Sequence, residues 1–455
     1  MKNYTKLLFA LCLMPLMASA QFEFQGSFPD TSMYKGFADV HGLAVDAAGK
    51  VYVQPYYPTF YIDVTLKDMS GADSVVSKSA GAIYVFNADG TPNDTIAYAP
   101  SLGDTLGGAI TGPNKWEYNS GRGMRFNKVN GFLYAAFFNI LYKINTETHE
   151  VVAKTIPSDG NSTGAPAFDG EGNVYIGPVV GANAPIRKLD ADLNYVEDVG
   201  APGGSFSRSM EVAEDGTVYW AGYTNGYVLK YTKPDVFSPY GETPDTVLRG
   251  IKSESFAFHP TTGYLWLSAG SPNDLPGESP TTGYAYNMNT WYAFDTAALG
   301  TANELPIDSL SWTVVEGDID VDGRARAMAW TADGKKVYIS QFSQSIPSIQ
   351  VLTGESRTVS IEDGSQIAAE YVLKSNYPNP FNPTTNIEFV MAKSGAVSLN
   401  VFDLLGRNVA TLVNKPMSAG NHMVTFDASN LSSGTYLYVL SVNGVRLTNK
   451  MTLIK

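Results

Sequence analysis

Cysteine is all but missing from this 455-residue sequence: Cys12 is the only one. It falls in an N-terminal segment expected to be removed, so the mature chain would hold neither a disulfide nor a reactive thiolate. Four histidines are too few for a multi-histidine metal site. Basic residues are scarce, with 31 Lys and Arg against 44 Asp and Glu and a formal charge of −13. A nucleic-acid partner is excluded on that ground, because a phosphate backbone needs a dense basic surface. Charged residues make up only 16% of the chain, which leaves little material for long solvated helices. After the N-terminus no stretch reaches the roughly 18 uninterrupted apolar residues of a membrane helix. What is abundant is glycine (43), proline (25) and aromatic side chains (12%), the material of turns and half-buried strands rather than of a disordered chain.

The two ends differ from the middle. Lys2 and Lys6 flank the start, Leu7 to Met17 form an apolar core, and Ala18-Ser19-Ala20 offers small residues for cleavage. Residues 1–20 therefore read as a secretory signal peptide. A lipoprotein signal is disfavoured because the bulky Leu11 precedes Cys12. At the other end, residues 371–455 carry seven basic and three acidic side chains, a balance of +4, whereas residues 21–370 carry −19. A split of this size marks two modules with separate tasks. The expected division is a main domain over 21–360, a linker over 361–370 rich in small polar residues, and a tail over 371–455.

The tail alternates apolar and polar residues over Asn386–Met391, Val397–Asp403, Asn408–Leu412, His422–Asp427 and Thr435–Val442. Pro378, Pro380 and Pro383 block sheet pairing ahead of these strands, and Gly406 and Gly434 sit where tight turns are needed. About seven short strands over 85 residues predict a small β-sandwich. The stretches NYPNPFNPTT (376–385), VFDLLGRNV (401–409), LSSGTYLY (431–438) and the closing KMTLIK (450–455) resemble the type A C-terminal sorting domain of the type IX secretion system. That resemblance implies a partner in the type IX machinery, export through the periplasm to the cell surface or medium, and a host in the Bacteroidota.

In the middle, one pattern recurs six times: an apolar strand, a glycine-containing turn, and a strand centred on an aromatic. The copies are GLAVDAAGKVYV (42–53), GMRFNKVNGFLYA (123–135), APAFDGEGNVYI (165–176), SMEVAEDGTVYW (209–220), SFAFHPTTGYLWL (255–267) and AMAWTADGKKVYI (327–339). The central aromatics are Tyr52, Tyr134, Tyr175, Tyr219, Trp266 and Tyr338. A third strand follows each copy and a weaker fourth follows several, which is the content of a propeller blade. The pattern resembles six-bladed β-propellers with NHL-like repeats and lacks the Trp-Asp ending of WD40 units. The expected fold is therefore all-β: a six-bladed propeller followed by the sandwich. The anchors Val45, Phe126, Phe168, Val212, Phe258 and Trp330 lie 81, 42, 44, 46 and 72 residues apart. The 81-residue gap has room for a seventh blade, but Pro55–Ala80 shows no second copy and reads as an insertion. Strand Phe22–Phe28 is expected to complete the last blade and close the ring.

Aligning the repeats locates a candidate site. Three residues before each anchor the chain is small (Gly42, Gly123, Ala165, Ser209, Ser255, Ala327), which lets neighbouring blades approach. One position earlier it is polar: His41, Arg122, Gly164, Arg208, Glu254 and Arg326. These residues should ring one mouth of the channel, either as mutual ion pairs such as Glu254 with an arginine, or as a set of fork-shaped donors for a carboxylate, sulfate or phosphate. The long segments Gln54–Ala80 and Ala269–Thr290 should overhang the same mouth and bring Tyr56, Tyr57, Phe60, Tyr61, Tyr284 and Tyr286, with Tyr223 and Phe342 nearby. Aromatics on such loops suit sugar faces or peptide side chains, although they can equally roof their own blades.

Asp318, Asp320 and Asp322 match the first half of a calcium loop, but Ala329 stands where a bidentate Glu belongs, so solvated acids facing Arg324 and Arg326 compete with the calcium reading. No other cofactor is expected. Asp-Ser/Thr pairs at Asp73, Asp94, Asp104, Asp245, Asp295 and Asp308 resemble O-glycosylation acceptors of Bacteroidota and equally suit turns before β-branched strand residues. A secreted or surface binding protein for a compact anionic, glycan or peptide ligand is the leading functional reading. The alternative is an extracellular propeller enzyme, a lyase or hydrolase or a quinoprotein-like oxidoreductase. His41 is the one histidine placed for a triad and no Ser sits on a nucleophile turn, so no catalytic residue is assigned.

Overall fold

The computed structural model describes residues 22–29, 38–68, 70–102, 104–112, 114–157, 162–179, 184–200, 207–222, 224–233, 238–241, 243–270, 275–301, 304–313, 323–342, 348–356, 372–374, 376–391, 395–403, 407–417, 420–442 and 445–455. The chain divides into two compact units, Met1–Arg357 and Thr358–Lys455. Residues 1–20, the linker 361–370, Tyr223, and Asp318, Asp320 and Asp322 lie outside the described residues.

Six four-stranded antiparallel sheets carry the repeat in the first unit. Their inner strands are Val40–Val45, Gly121–Phe126, Ala167–Phe168, Met210–Val212, Phe256–Phe258 and Arg324–Trp330. In the first sheet Val51–Pro55, Ile83–Phe86 and Pro92–Ile96 follow outward in chain order. The last sheet takes its outer strand from the opposite end of the unit. Phe22–Ser27 pairs antiparallel with Ile349–Gly354, joining Phe22 to Gly354 and Ser27 to Gln350. Phe22 then packs edge-on against Trp330 (5.2 Å) and Trp266 (6.0 Å), so ring closure is sealed by aromatic burial as well as by backbone bonds.

The recurring aromatic has a physical reason. Tyr134 lies 5.2 Å from Phe168, Tyr219 6.2 Å from Phe258 and Trp266 5.5 Å from Trp330, so each touches the anchor of the next sheet. In the first two sheets the tyrosine hydroxyl crosses the same boundary: Tyr52 donates to Thr146 O and Tyr134 to Ala191 O. The small positions do what their size allows. A Cβ on Gly123 would stand 2.7 Å from Ala165 Cβ, and one on Gly42 3.0 Å from Met124 Cγ.

The long gap after the first sheet holds two features. Phe60–Lys67 and Asp73–Ala80 form a separate hairpin, and Tyr98–Ala99, Asp104–Thr105, Gly108–Gly112 and Lys115–Tyr118 form a four-stranded meander. The gap therefore holds two insertions, the hairpin within Pro55–Ala80 and the later meander, separated by the first sheet's strands Ile83–Phe86 and Pro92–Ile96. The inner strands of the first two sheets pack directly on each other, so neither feature puts a strand between them around the channel.

Among the described residues the second unit is a β-sandwich of seven strands. Val372–Leu373, Thr384–Met391 and Gly420–Asp427 form one sheet; Gly395–Phe402, Asn408–Met417, Gly434–Val442 and Val445–Leu453 form the other. Phe389, Leu399, Tyr438 and Met451 are among the fully buried side chains between them. Asn376 donates to Pro378 O and Thr385 Oγ1, and its amide donates to Tyr438 Oη, tying the proline-rich segment to this core. Among the described residues no helix is long and apolar enough to cross a membrane.

Candidate functional site at the channel mouth

The polar ring sits where the inner strands begin, and backbone irregularity aims its members. Register slips between Val40 and Gly42, between Gly121 and Gly123, and between Ala325 and Ala327 leave His41, Arg122 and Arg326 as the extra residues of β-bulges. A bulge turns a side chain out of the pleat, and rims are where such re-aiming is used. In the fourth and fifth sheets a serine does the equivalent work. Ser207 Oγ donates to Ser209 O across Arg208, and Ser253 Oγ donates to Ser255 O across Glu254. Buried Gln54 holds the second bulge from the neighbouring sheet: its Nε2 donates to Ala136 O and its Oε1 accepts from Gly123 N, each at 2.9 Å.

Four of the ring side chains touch one another. Glu254, 3% exposed, forms a close ion pair with Arg326 Nη1, and its Oε2 lies 3.4 Å from Arg208 Nε. Arg326 Nε donates to His41 Nε2 at 3.1 Å, so that nitrogen is an acceptor and His41 is neutral. Burial, and then Arg326, Arg208 and Arg122, hold the His41 pKa well below the ordinary histidine range. Arg122 stands apart from Glu254 with its Nε buried and without a hydrogen-bond partner. Its guanidinium lies 5.1 Å from the Tyr56 ring centre and 5.4 Å from that of Phe138, and burial lowers its pKa.

An aromatic wall rises beside the ring. His41 lies 4.6 Å from Tyr56 and 5.2 Å from Phe342; Tyr56 lies 4.8 Å from Tyr57; and Arg326 faces Phe342 at 5.1 Å. The meander props this wall, since Tyr118 Oη donates to Tyr56 O at 3.0 Å. Tyr57 remains 55% exposed. Tyr284 and Tyr286 have a different place: they pack on Tyr292 at 5.9 and 5.4 Å, covering the fifth sheet.

Below the ring lies a second polar layer. Arg125 reaches from the second sheet to the fourth, where its Nη1 meets Glu211 Oε1 at 2.7 Å, and its Nη2 donates to Ser209 Oγ and Phe256 O. Burial raises the Glu211 pKa against the opposing pull of Arg125. One residue before the anchors the repeats read Ala44, Arg125, Ala167, Glu211, Ala257 and Ala329, so four alanines leave room for this strut. Between the layers lies a cavity of about 10 Å³ lined by Arg122, Arg125, Arg208, Arg326 and His41, and by no carboxylate among the described residues. A cavity of that size admits about one water-sized atom, so the lining can hold a single oxygen of an oxyanion whose remainder stays at the mouth. Among the described residues no cluster of three or more His, Cys, Asp or Glu is placed to bind a metal ion.

The architecture is thus that of a β-propeller with an arginine-rich channel mouth, joined to a small sandwich. The sandwich is a secretion system C-terminal sorting domain, matched by that family's sequence model over residues 375–455. It marks the protein for type IX export to the cell surface or beyond. No curated protein matches the chain. Among solved structures, virginiamycin B lyase from Staphylococcus aureus aligns at 8% identity and a TM-score of 0.41, covering 74% of this chain and 100% of its own. Regucalcin, a calcium-binding protein from Agrobacterium tumefaciens, aligns at 10% identity and a TM-score of 0.42, covering 73% and 94%.

Proposed function

We propose that the protein is a type IX-exported binding protein whose channel mouth captures a compact ligand bearing an anionic group, with a glycan, peptide or other apolar body against the tyrosines. The cavity lining carries the reading: four arginines line it, while Glu254 and Glu211 grip some of them from outside the lining. Arg122 has no carboxylate beside it, which leaves a buried donor for a ligand oxygen. Calorimetric titration of the purified protein with acetate, sulfate, phosphate and larger carboxylates tests this. Binding should weaken by about 2–4 kcal/mol, roughly 30- to 1,000-fold, in Arg122→Met. Failure of every anion to bind at low ionic strength would refute it.

A further inference from the structure

We infer that the ligand is a ring-bearing monocarboxylate whose carboxylate lies over Gly164, between Arg122 and Arg208, and whose ring lies on the wall of Tyr56, Tyr57 and Phe342. This deepens the mouth reading and rests on it. Around the mouth the order is His41, Arg122, Gly164, Arg208, Glu254 and Arg326. The third sheet alone places no side chain in that ring. A Cβ on Gly164 would stand 2.9 Å from Arg208 O, so the third sheet packs its backbone directly on the fourth there, and the notch in the ring is the missing side chain between Arg122 and Arg208. Two guanidinium-bearing residues flank it, both lining the cavity, and the buried Arg122 Nε lacks a partner. A carboxylate in the notch supplies that partner and spans both forks, whereas Glu254 is already engaged with Arg326 and Arg208 on the far side.

Charge and space limit the ligand further. Three ring arginines, one glutamate and a neutral His41 leave a formal excess of two positive charges. One carboxylate reduces that excess, while a second anionic group would have to reach Arg326, where Glu254 already sits. The Arg125–Glu211 strut closes the floor and the cavity is about 10 Å³, so only one oxygen of the head group descends. The body must stay at the level of the wall, where Arg122 lies 5.1 Å from Tyr56 and the rings of Tyr57 and Phe342 stand 6.3 Å apart. A six-membered ring offers a face to match a tyrosine, and a linear chain does not.

The test is a calorimetric series on the full chain with benzoate, cyclohexanecarboxylate and glucuronate as ring acids, acetate as the ringless acid, glucose as the uncharged ring, and triglycine as a peptide carboxylate. At least one ring acid should bind tenfold or more tightly than acetate, glucose and triglycine. Tyr57→Ala should erase the advantage of ring acids over acetate, and Gly164→Ser, whose Cβ would displace the Arg208 backbone, should weaken all acids. Should Gly164→Ser misfold, Arg122→Met provides the same readout. Preference for glucuronate would assign a sugar acid, and preference for benzoate or cyclohexanecarboxylate an apolar ring acid. Ring acids no better than acetate, or triglycine better than both, would overturn the inference and leave the anion site standing. No binding by any acid would remove both.

Discussion

Glu254→Ala is the most informative single perturbation of the mouth. The carboxylate is 3% exposed, in close contact with Arg326 and 3.4 Å from Arg208 Nε. Removing it leaves two neighbouring guanidinium groups with His41 between Arg326 and Arg122 and no counter-charge in the ring. Breaking a buried pair in this way costs about 3–5 kcal/mol, because an uncompensated buried charge remains. At about 2.1 cal/mol/K per residue, a unit of roughly 330 residues unfolds with an entropy near 0.7 kcal/mol/K, so each kcal/mol lowers the Tm by about 1.4 °C. The expected fall is about 4–7 °C by scanning calorimetry. Acetate or sulfate added to Glu254→Ala should recover part of it, since a diffusible anion can enter the vacated place. The same anion should do less for Arg326→Ala, which loses the cation instead. An unchanged Tm in Glu254→Ala would show that the ring charges are hydrated and weakly coupled, and that the mouth holds no desolvated charge for an anion to meet.

Three further outcomes can be measured. Gly123→Ala should destabilise the propeller by about 2–4 kcal/mol in denaturant melts, combining a strained backbone at φ +126° with a Cβ 2.7 Å from that of Ala165. His41 is held neutral with a depressed pKa, so its contribution is present above the unfolded-state value near 6.5 and is lost as the pH falls. Melts between pH 7 and 5 should therefore decline by up to about 1.4 kcal/mol per pH unit more steeply in the native protein than in His41→Gln. Truncation after Arg357 should leave a folded propeller in the periplasm by cell fractionation, because its last sheet is completed by Phe22–Ser27 and not by the sorting domain. Arrival of the truncated protein at the surface would contradict the address role of residues 375–455.

Much of this was legible in the sequence, and for a reason. Each inner-strand copy repeats one packing problem, so the small residue, the anchor and the next strand's aromatic recur with it, as Tyr134 on Phe168 and Trp266 on Trp330 show. Ring residues His41, Arg122, Arg208, Glu254 and Arg326 were found by the same alignment, including the pairing of Glu254 with an arginine. The bulges at His41, Arg122 and Arg326 leave no such trace, because an extra residue in a strand has no residue type of its own. The Arg125–Glu211 strut does have a signal in the sequence, a charge pair at a repeat position otherwise filled by alanine. Strands as short as Tyr98–Ala99 and Asp104–Thr105 carry too few residues for a period to show. Tyr56 and Tyr286 look alike in sequence, and only packing separates the wall of the mouth from the cover of a blade.

An acidic shell around a basic mouth has a selective consequence. Residues 21–370 carry −19, yet the charges lining the cavity are arginines. At physiological salt the outer charges act over a Debye length of about 8 Å, so a long polyanion meets repulsion along its whole length and attraction only at one end. A small monoanion meets the reverse, since a single group can sit within reach of Arg122 and Arg208 while little of it faces the shell. Raising ionic strength screens both fields, but it removes the exposed repulsion first, because the pairs around Glu254 are buried. A compact ligand should therefore lose affinity only slowly with salt, and an extended anionic chain should gain relative to it. The ratio of the two affinities, followed across a salt series, reads out the depth of the site: a ratio independent of salt would place the binding charges at the surface and not in the channel mouth.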